Sequence, residues 1–175
     1  MAATPKRVYW DACAWIAVIQ DEKVKLSDGS LENRAAMGRA VIADATKGKA
    51  EIFTSAFCLI EVCKNKDLKA GKNDEKIAAF FENDYIVIVN VDRYTGETGR
   101  KLMLSGISKL KPADASHLAA ATVINADEMH TFDDRLLDLD GVLDKADGTK
   151  LRICKPSMGG PGLPLWDSSA TEKKH

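Results

Sequence analysis

Short apolar runs alternate along the chain with longer stretches in which apolar residues recur every three or four positions. The run ending in "VYW" (7–10) predicts a short buried strand, and "ACAWIAVIQ" (12–20) predicts a helix that turns Trp15, Ile16 and Ile19 inward. A polar break, "DEKVKLSDGS", separates it from a longer helical pattern over 31–47, with Gly48 placed to close that helix. "EIFTS" (51–55) is strand-like, and "AFCLIEVCKN" (56–65) returns to helical spacing. A turn at "LKAGKND" leads into a short helix over 75–81.

"YIVIVNV" (85–91) is the clearest strand, β-branched and nearly all apolar, as expected where a parallel sheet is covered on both faces. A helix carrying Leu102, Leu104 and Leu110 follows, and Pro112 suits the first turn of the next, "ADASHLAAATVINA". "EMHTF" (128–132), the short turn "DDRLLDL" and "KLRIC" (150–154) complete the series. Strands alternating with crossover-length helices predict an α/β fold, a three-layer α/β/α sandwich with a mainly parallel central sheet. One domain is expected over residues 1–155. The Gly- and Pro-rich residues 156–175 are expected to form a flexible C-terminal tail, with Leu163, Leu165 and Trp166 able to dock on a surface.

Composition changes this picture little. At 175 residues and 45% hydrophobic content the chain is long and apolar enough for a full core. Twenty-five Lys and Arg against 26 Asp and Glu leave a net charge of -1, so a polyanion would have to be met by a local patch. The four cysteines form no CxxC pair and the three histidines no HExxH, which argues against a zinc site and for reduced thiols. Lys6 and Arg7 ahead of an apolar run look superficially like a signal peptide, but Asp11 interrupts the run and "QDEKVK" replaces a cleavage site. No stretch approaches the roughly 20 apolar residues of a membrane span, so a cytoplasmic protein without membrane contact is expected.

The chemistry lies in the acids. Functional groups of parallel α/β sheets gather at the carboxyl ends of the strands. Asp11 ends the first strand, Glu61 lies on the helix after the second, Asp114 opens the helix after Pro112, and Asp133 follows "HTF". Carboxylates brought together repel and raise one another's pKa, a penalty that a hard divalent cation removes. Mg²⁺ or Mn²⁺ takes oxygen ligands and needs neither His nor Cys. Such a metal orients and activates water for phosphodiester hydrolysis.

The pieces "VYWDACAWI", "TSAFCLIEV", "PADASHLAAA" and "HTFDDRLL", in this order and spacing over residues 8–137, resemble the PIN domain, the nuclease fold of VapC-type toxins. The resemblance implies Mg²⁺- or Mn²⁺-dependent cleavage of RNA by Asp11, Glu61, Asp114 and Asp133, a cognate antitoxin that blocks the cleft, and a homodimer. Two residues depart from the family pattern. Cys13 stands where Ser or Asn is common, and Asp134 where a basic residue is common, which leaves Asp133 and Asp134 competing for the fourth acidic role.

Each acid also has an ordinary explanation. Asp11 and Asp114 suit a helix cap or first turn, and Glu61 a solvent-facing helix position. Thr131 and Ser55 are candidates to orient carboxylates or water. The helix phase makes His117 a packed or solvent-edge residue rather than a catalyst. Lys64, Lys66, Lys69 and Lys72 form the candidate RNA-backbone patch. The alternative function is a non-catalytic PIN-like module that binds RNA or protein. A phosphotransfer or receiver-type reading fails because Ala12 and Cys13 follow Asp11 where a DxD is needed, and the acidic pair of a receiver is absent.

Overall fold

In the computed structural model, which describes residues 4–64 and 74–157, consecutive residues of the first strand point to opposite sides and seed two cores. The elements run β1 (Lys6–Trp10), α1 (Ala12–Ile19), β2 (Lys23–Lys25), β3 (Leu31–Asn33), α2 (Arg34–Ala45), β4 (Ala50–Ser55) and α3 (Ala56–Glu61). After a 3-10 turn at Val62–Lys64 come α4 (Asp74–Phe81), β5 (Ile86–Val89), α5 (Arg93–Leu104), α6 (Pro112–Val123), β6 (Glu128–His130), α7 (Asp134–Leu137) and β7 (Arg152–Cys154). The large sheet has the order β5-β4-β1-β6-β7, and every pairing in it is parallel.

Val8 and Trp10 face a core shared with Trp15, Val41, Ile52 and Phe81, so α1, α2 and α4 cover that side. Tyr9 faces the other, among Leu118, Ala121, Met129 and Ile153, under α5 and α6. Each large side chain fully removed from water contributes about 2 kcal/mol before entropic costs. Small residues set how close the layers come. A Cβ on Gly99 of α5 would lie 3.4 Å from the Ala115 carbonyl of α6, and one on Gly38 of α2 would lie 2.4 Å from Val18. The three-layer α/β/α sandwich is therefore the observed architecture.

Three details differ from expectation. The polar break and the start of the predicted 31–47 helix form a hairpin, β2 paired antiparallel with β3, and α2 begins at Arg34. Gly29 at φ +86 turns this hairpin, and the Asn33 side chain caps α2 by accepting from the Ala36 N–H. β5 is an edge strand with Val87 and Ile88 exposed, not a strand covered on both faces. α5 ends at Leu104, because Gly106 (φ +84) turns the chain before Leu110. Of the expected tail only Pro156 and Ser157 are described, and residues 158–175 lie outside the described residues. No helix among the described residues is long and apolar enough to cross a membrane.

Candidate active site

β1 stops at Trp10 because Asp11 turns the chain into α1, and its carboxylate caps that helix by accepting from the Ala14 N–H at 3.0 Å. Capping does not exhaust it. The Thr131 hydroxyl donates to Asp11 Oδ2 at 2.6 Å, and the Cys13 thiol lies 2.9 Å from Oδ1. Burial pushes the Asp11 pKa up, while the Cys13 hydrogen bond, the field of His117 and the bonds from Thr131 and Ala14 pull it partly back. Charge at this carboxylate is oriented but undercompensated.

Thr131 and Cys13 tie the first and fourth acidic segments together. The Asp133 N–H donates to Thr131 Oγ1 at 3.0 Å, and the Phe132 N–H donates to Cys13 Sγ at 3.1 Å. Cys13 thus serves as a hydrogen-bond partner to both segments. Burial, with Asp11 next to it, raises its pKa, so it stays a thiol.

Glu61 is the last residue of α3 and is buried, not solvent-facing. His117 Nε2 lies 2.5 Å from Glu61 Oε2, and the ring's Nδ1 lies 2.8 Å from the Tyr9 hydroxyl. Both ring nitrogens are thus engaged, one by the Glu61 carboxylate and the other by the Tyr9 hydroxyl. Burial raises the Tyr9 pKa and keeps that hydroxyl protonated. Of the two expected settings, packed or at the solvent edge, His117 takes the packed one, and it also contacts a candidate ligand, a role that sequence position does not disclose.

Asp114 sits in the first turn of α6. Asp133 caps α7, accepting from the Arg135 N–H, and its carboxylate is gripped by the Arg135 guanidinium through Nε (3.0 Å) and Nη2 (2.5 Å). Hydrogen bonding to Arg135 holds its pKa below the usual carboxylate range. Asp134 is exposed, opens α7 and is not among the residues lining the cleft.

The structure brings all four predicted acids to one cleft of ≈190 Å³, lined by Asp11, Glu61, Asp114 and Asp133 with Cys13 and His117. Its donor chemistry fits a hard divalent cation. Both His117 nitrogens are engaged and Cys13 is a thiol, so the cation ligands on offer are carboxylate oxygens. Ser55 is buried at the end of β4; it is the N-cap residue of α3 without a side-chain capping bond, and it does not line the cleft. Lys66, Lys69 and Lys72 lie outside the described residues, as does the Lys64 side chain.

A second cluster, Glu128, His130 and Cys154, places its potential ligand atoms within 4.8 Å of one another. Its hydrogen bonds argue against a metal. The Trp10 indole N–H donates to His130 Nδ1 at 3.1 Å, which puts the ring hydrogen on Nε2, facing Glu128. Lys6 and Arg152 pair with Glu128 at 2.7 and 3.4 Å, and burial pushes the Cys154 thiol up to about 11. A larger cavity of ≈660 Å³ beside the cleft, lined by Phe57, Ile60, Val91 and Pro112 among others, has no titratable side chain.

Residues 8–142 match the PIN domain family. Among solved structures, the chain is similar to VapC20 of Mycobacterium tuberculosis, described as a sarcin–ricin loop cleaving toxin. That likeness has 16% identity and a TM-score of 0.54, covering 72% of this chain and 89% of that one. It is also similar to VapBC2 of Rickettsia felis, solved bound to a DNA fragment from the pair's promoter, with 15% identity and a TM-score of 0.52, covering 84% of this chain and 98% of that one. At such identities the likeness is one of fold. No curated protein matches the chain.

Proposed function

The chain belongs to the PIN-domain family, and from that premise we propose that it is a metal-dependent endoribonuclease, the toxin of a VapBC-type pair, with residues 1–155 as its single nuclease domain. The observation that carries the reading is the convergence of Asp11, Glu61, Asp114 and Asp133 on one cleft from four separate segments. These residues would hold Mg²⁺ or Mn²⁺. Bound there, the cation supplies a water of lowered pKa and charge stabilisation for the phosphodiester.

The chain's own groups supply the order. Thr131 and Cys13 fix the Asp11 carboxylate, and His117, backed by Tyr9, fixes Glu61. No side chain in the cleft is arranged as a covalent nucleophile, since the Cys13 sulfur is held as a hydrogen-bonded thiol. The VapC-like fold supports a cognate antitoxin as partner and a cytoplasmic setting. The apolar cavity at Phe57, Ile60 and Val91 supports a protein surface beside the cleft, either the antitoxin's or that of a second copy in a homodimer.

Purified protein incubated with total RNA should cut it with Mg²⁺ or Mn²⁺ and stop on addition of EDTA, and sequencing the new RNA ends identifies the target. Intact RNA under both metals, with the protein folded and free of antitoxin, refutes the assignment.

A further inference from the structure

We propose that Arg135 is the cleft's resident counter-ion: it pairs with Asp133 and Asp114, gives up those carboxylates when a divalent cation binds, and then takes an RNA backbone phosphate in the groove it shares with Lys109. This rests on the nuclease reading above and extends it to how substrate is held.

The pairing is bidentate. Arg135 Nε and Nη2 contact the two oxygens of Asp133, its backbone N–H also donates to Oδ1, and Nη2 reaches to 3.6 Å from Asp114 Oδ2. Three of the roughly four acceptor positions on the Asp133 carboxylate are therefore used by one residue. A guanidinium and a divalent cation on the same pair of carboxylates repel, so occupancy by one disfavours the other. The Arg135 side chain is 42% exposed and lines the groove next to the cleft.

Outward lies a groove of ≈390 Å³ lined by Ile107, Ser108, Lys109, Arg135, Asp138 and Leu139. Lys109 holds a left-handed backbone conformation, φ +57, which is uncommon for a side-chain-bearing residue. Two cations, Lys109 and Arg135, thus line this groove, with Asp138 the one acid in its lining. The planar fork of arginine that grips Asp133 is equally suited to a phosphate.

The test exploits opposite signs. Mn²⁺ affinity is measured by calorimetry without RNA for the wild type, Arg135→Gln, Lys109→Gln and Arg93→Gln. Arg93 is a highly exposed arginine paired with Glu97 that lines neither the cleft nor the groove, so its variant controls for net charge. Arg135→Gln should bind Mn²⁺ about tenfold more tightly, from the loss of contacts to two carboxylates, while the other two variants match the wild type. Fluorescence anisotropy with a single-stranded 12-nucleotide RNA, with Ca²⁺ replacing Mg²⁺, should then show weaker RNA binding for both Arg135→Gln and Lys109→Gln. For each, the salt slope should be shallower by about 1.

A residue that merely stabilises α7 would not tighten metal while weakening RNA. Equal or weaker Mn²⁺ binding by Arg135→Gln, or unchanged RNA affinity, overturns the proposal. A wild type that binds no Mn²⁺ instead removes the nuclease reading on which it stands.

Discussion

Two histidine–carboxylate pairs hang from consecutive residues of β1, and they have opposite fates. On one side of the sheet Tyr9 contacts His117, which holds Glu61; on the other Trp10 donates to His130, which faces Glu128. Glu128 is closed in by Lys6 and Arg152. Burial alone would raise its pKa, but hydrogen bonds from His130 and Lys6 outweigh that and bring it to about 2. The Glu61 pair opens on a cleft shared with Asp11, whose pKa burial drives the other way. Buried carboxylates of similar geometry thus divide by where their counter-charge comes from. The protein's own cations close in Glu128, whereas in the acid cleft Arg135 pairs with Asp133 and Asp114 and the Asp11 end keeps the donor set for a cation from solution.

The sharpest way to break the comparison is to neutralise one acid on each side. Asp11→Asn should lower metal-dependent RNA cleavage by roughly a thousandfold, the several kcal/mol expected when a metal site loses a ligand. Its folding stability should hold or rise, because an undercompensated buried charge has been removed. Urea unfolding and initial cleavage rates measure both, and a destabilised but active variant would reverse the assignment.

Glu128→Gln should do the converse. Lys6 and Arg152 lose their counter-charge, which costs about 2 kcal/mol of stability, while cleavage below the unfolding range stays at the wild-type rate. The pH dependence has a definite sign. The folded pKa of Glu128, about 2, lies below its ordinary value of 4.5, so its stabilisation is complete above pH 4.5 and is lost as pH falls toward 2. His130 adds an earlier loss. Burial, partly offset by Glu128, lowers its pKa from 6.5, so the neutral ring favours the fold above that value and the advantage fades below it. Urea midpoints from pH 7.5 to 3 should fall through both windows in the wild type, and the lower window should flatten in Glu128→Gln.

The same division explains what could be read in advance. Asp11, Asp114 and Asp133 each sit at a strand end or helix start, where local pattern places them; Asp11 and Asp133 cap their helices and Asp114 occupies a first turn, and these ordinary roles coexist with the cleft. The Glu61 carboxylate is satisfied by His117, 56 residues away, and Asp11 by Thr131, 120 residues away, so neither partnership leaves a local signature. The β2–β3 hairpin was hidden because each strand has three residues, with side chains exposed or only partly buried, too few for a period-2 pattern. The exposure of β5 depends on strand order, which composition does not encode.

The smallest expected effect separates holding a ligand from being one. Tyr9→Phe deletes the hydroxyl that contacts His117 Nδ1 and leaves the ring in its buried site. One hydrogen bond of this kind is worth about 1 kcal/mol, so both stability and cleavage should fall modestly, the latter about fivefold or less. If Glu61 is a metal ligand positioned through His117, the loss should shrink as Mn²⁺ is raised, because a misplaced ligand weakens cation binding more than it impairs the loaded site. A loss independent of Mn²⁺ concentration would make the Tyr9–His117–Glu61 chain a structural counterpart of Trp10–His130–Glu128, and the two sides of the sheet would then differ only at Asp11, Asp114 and Asp133.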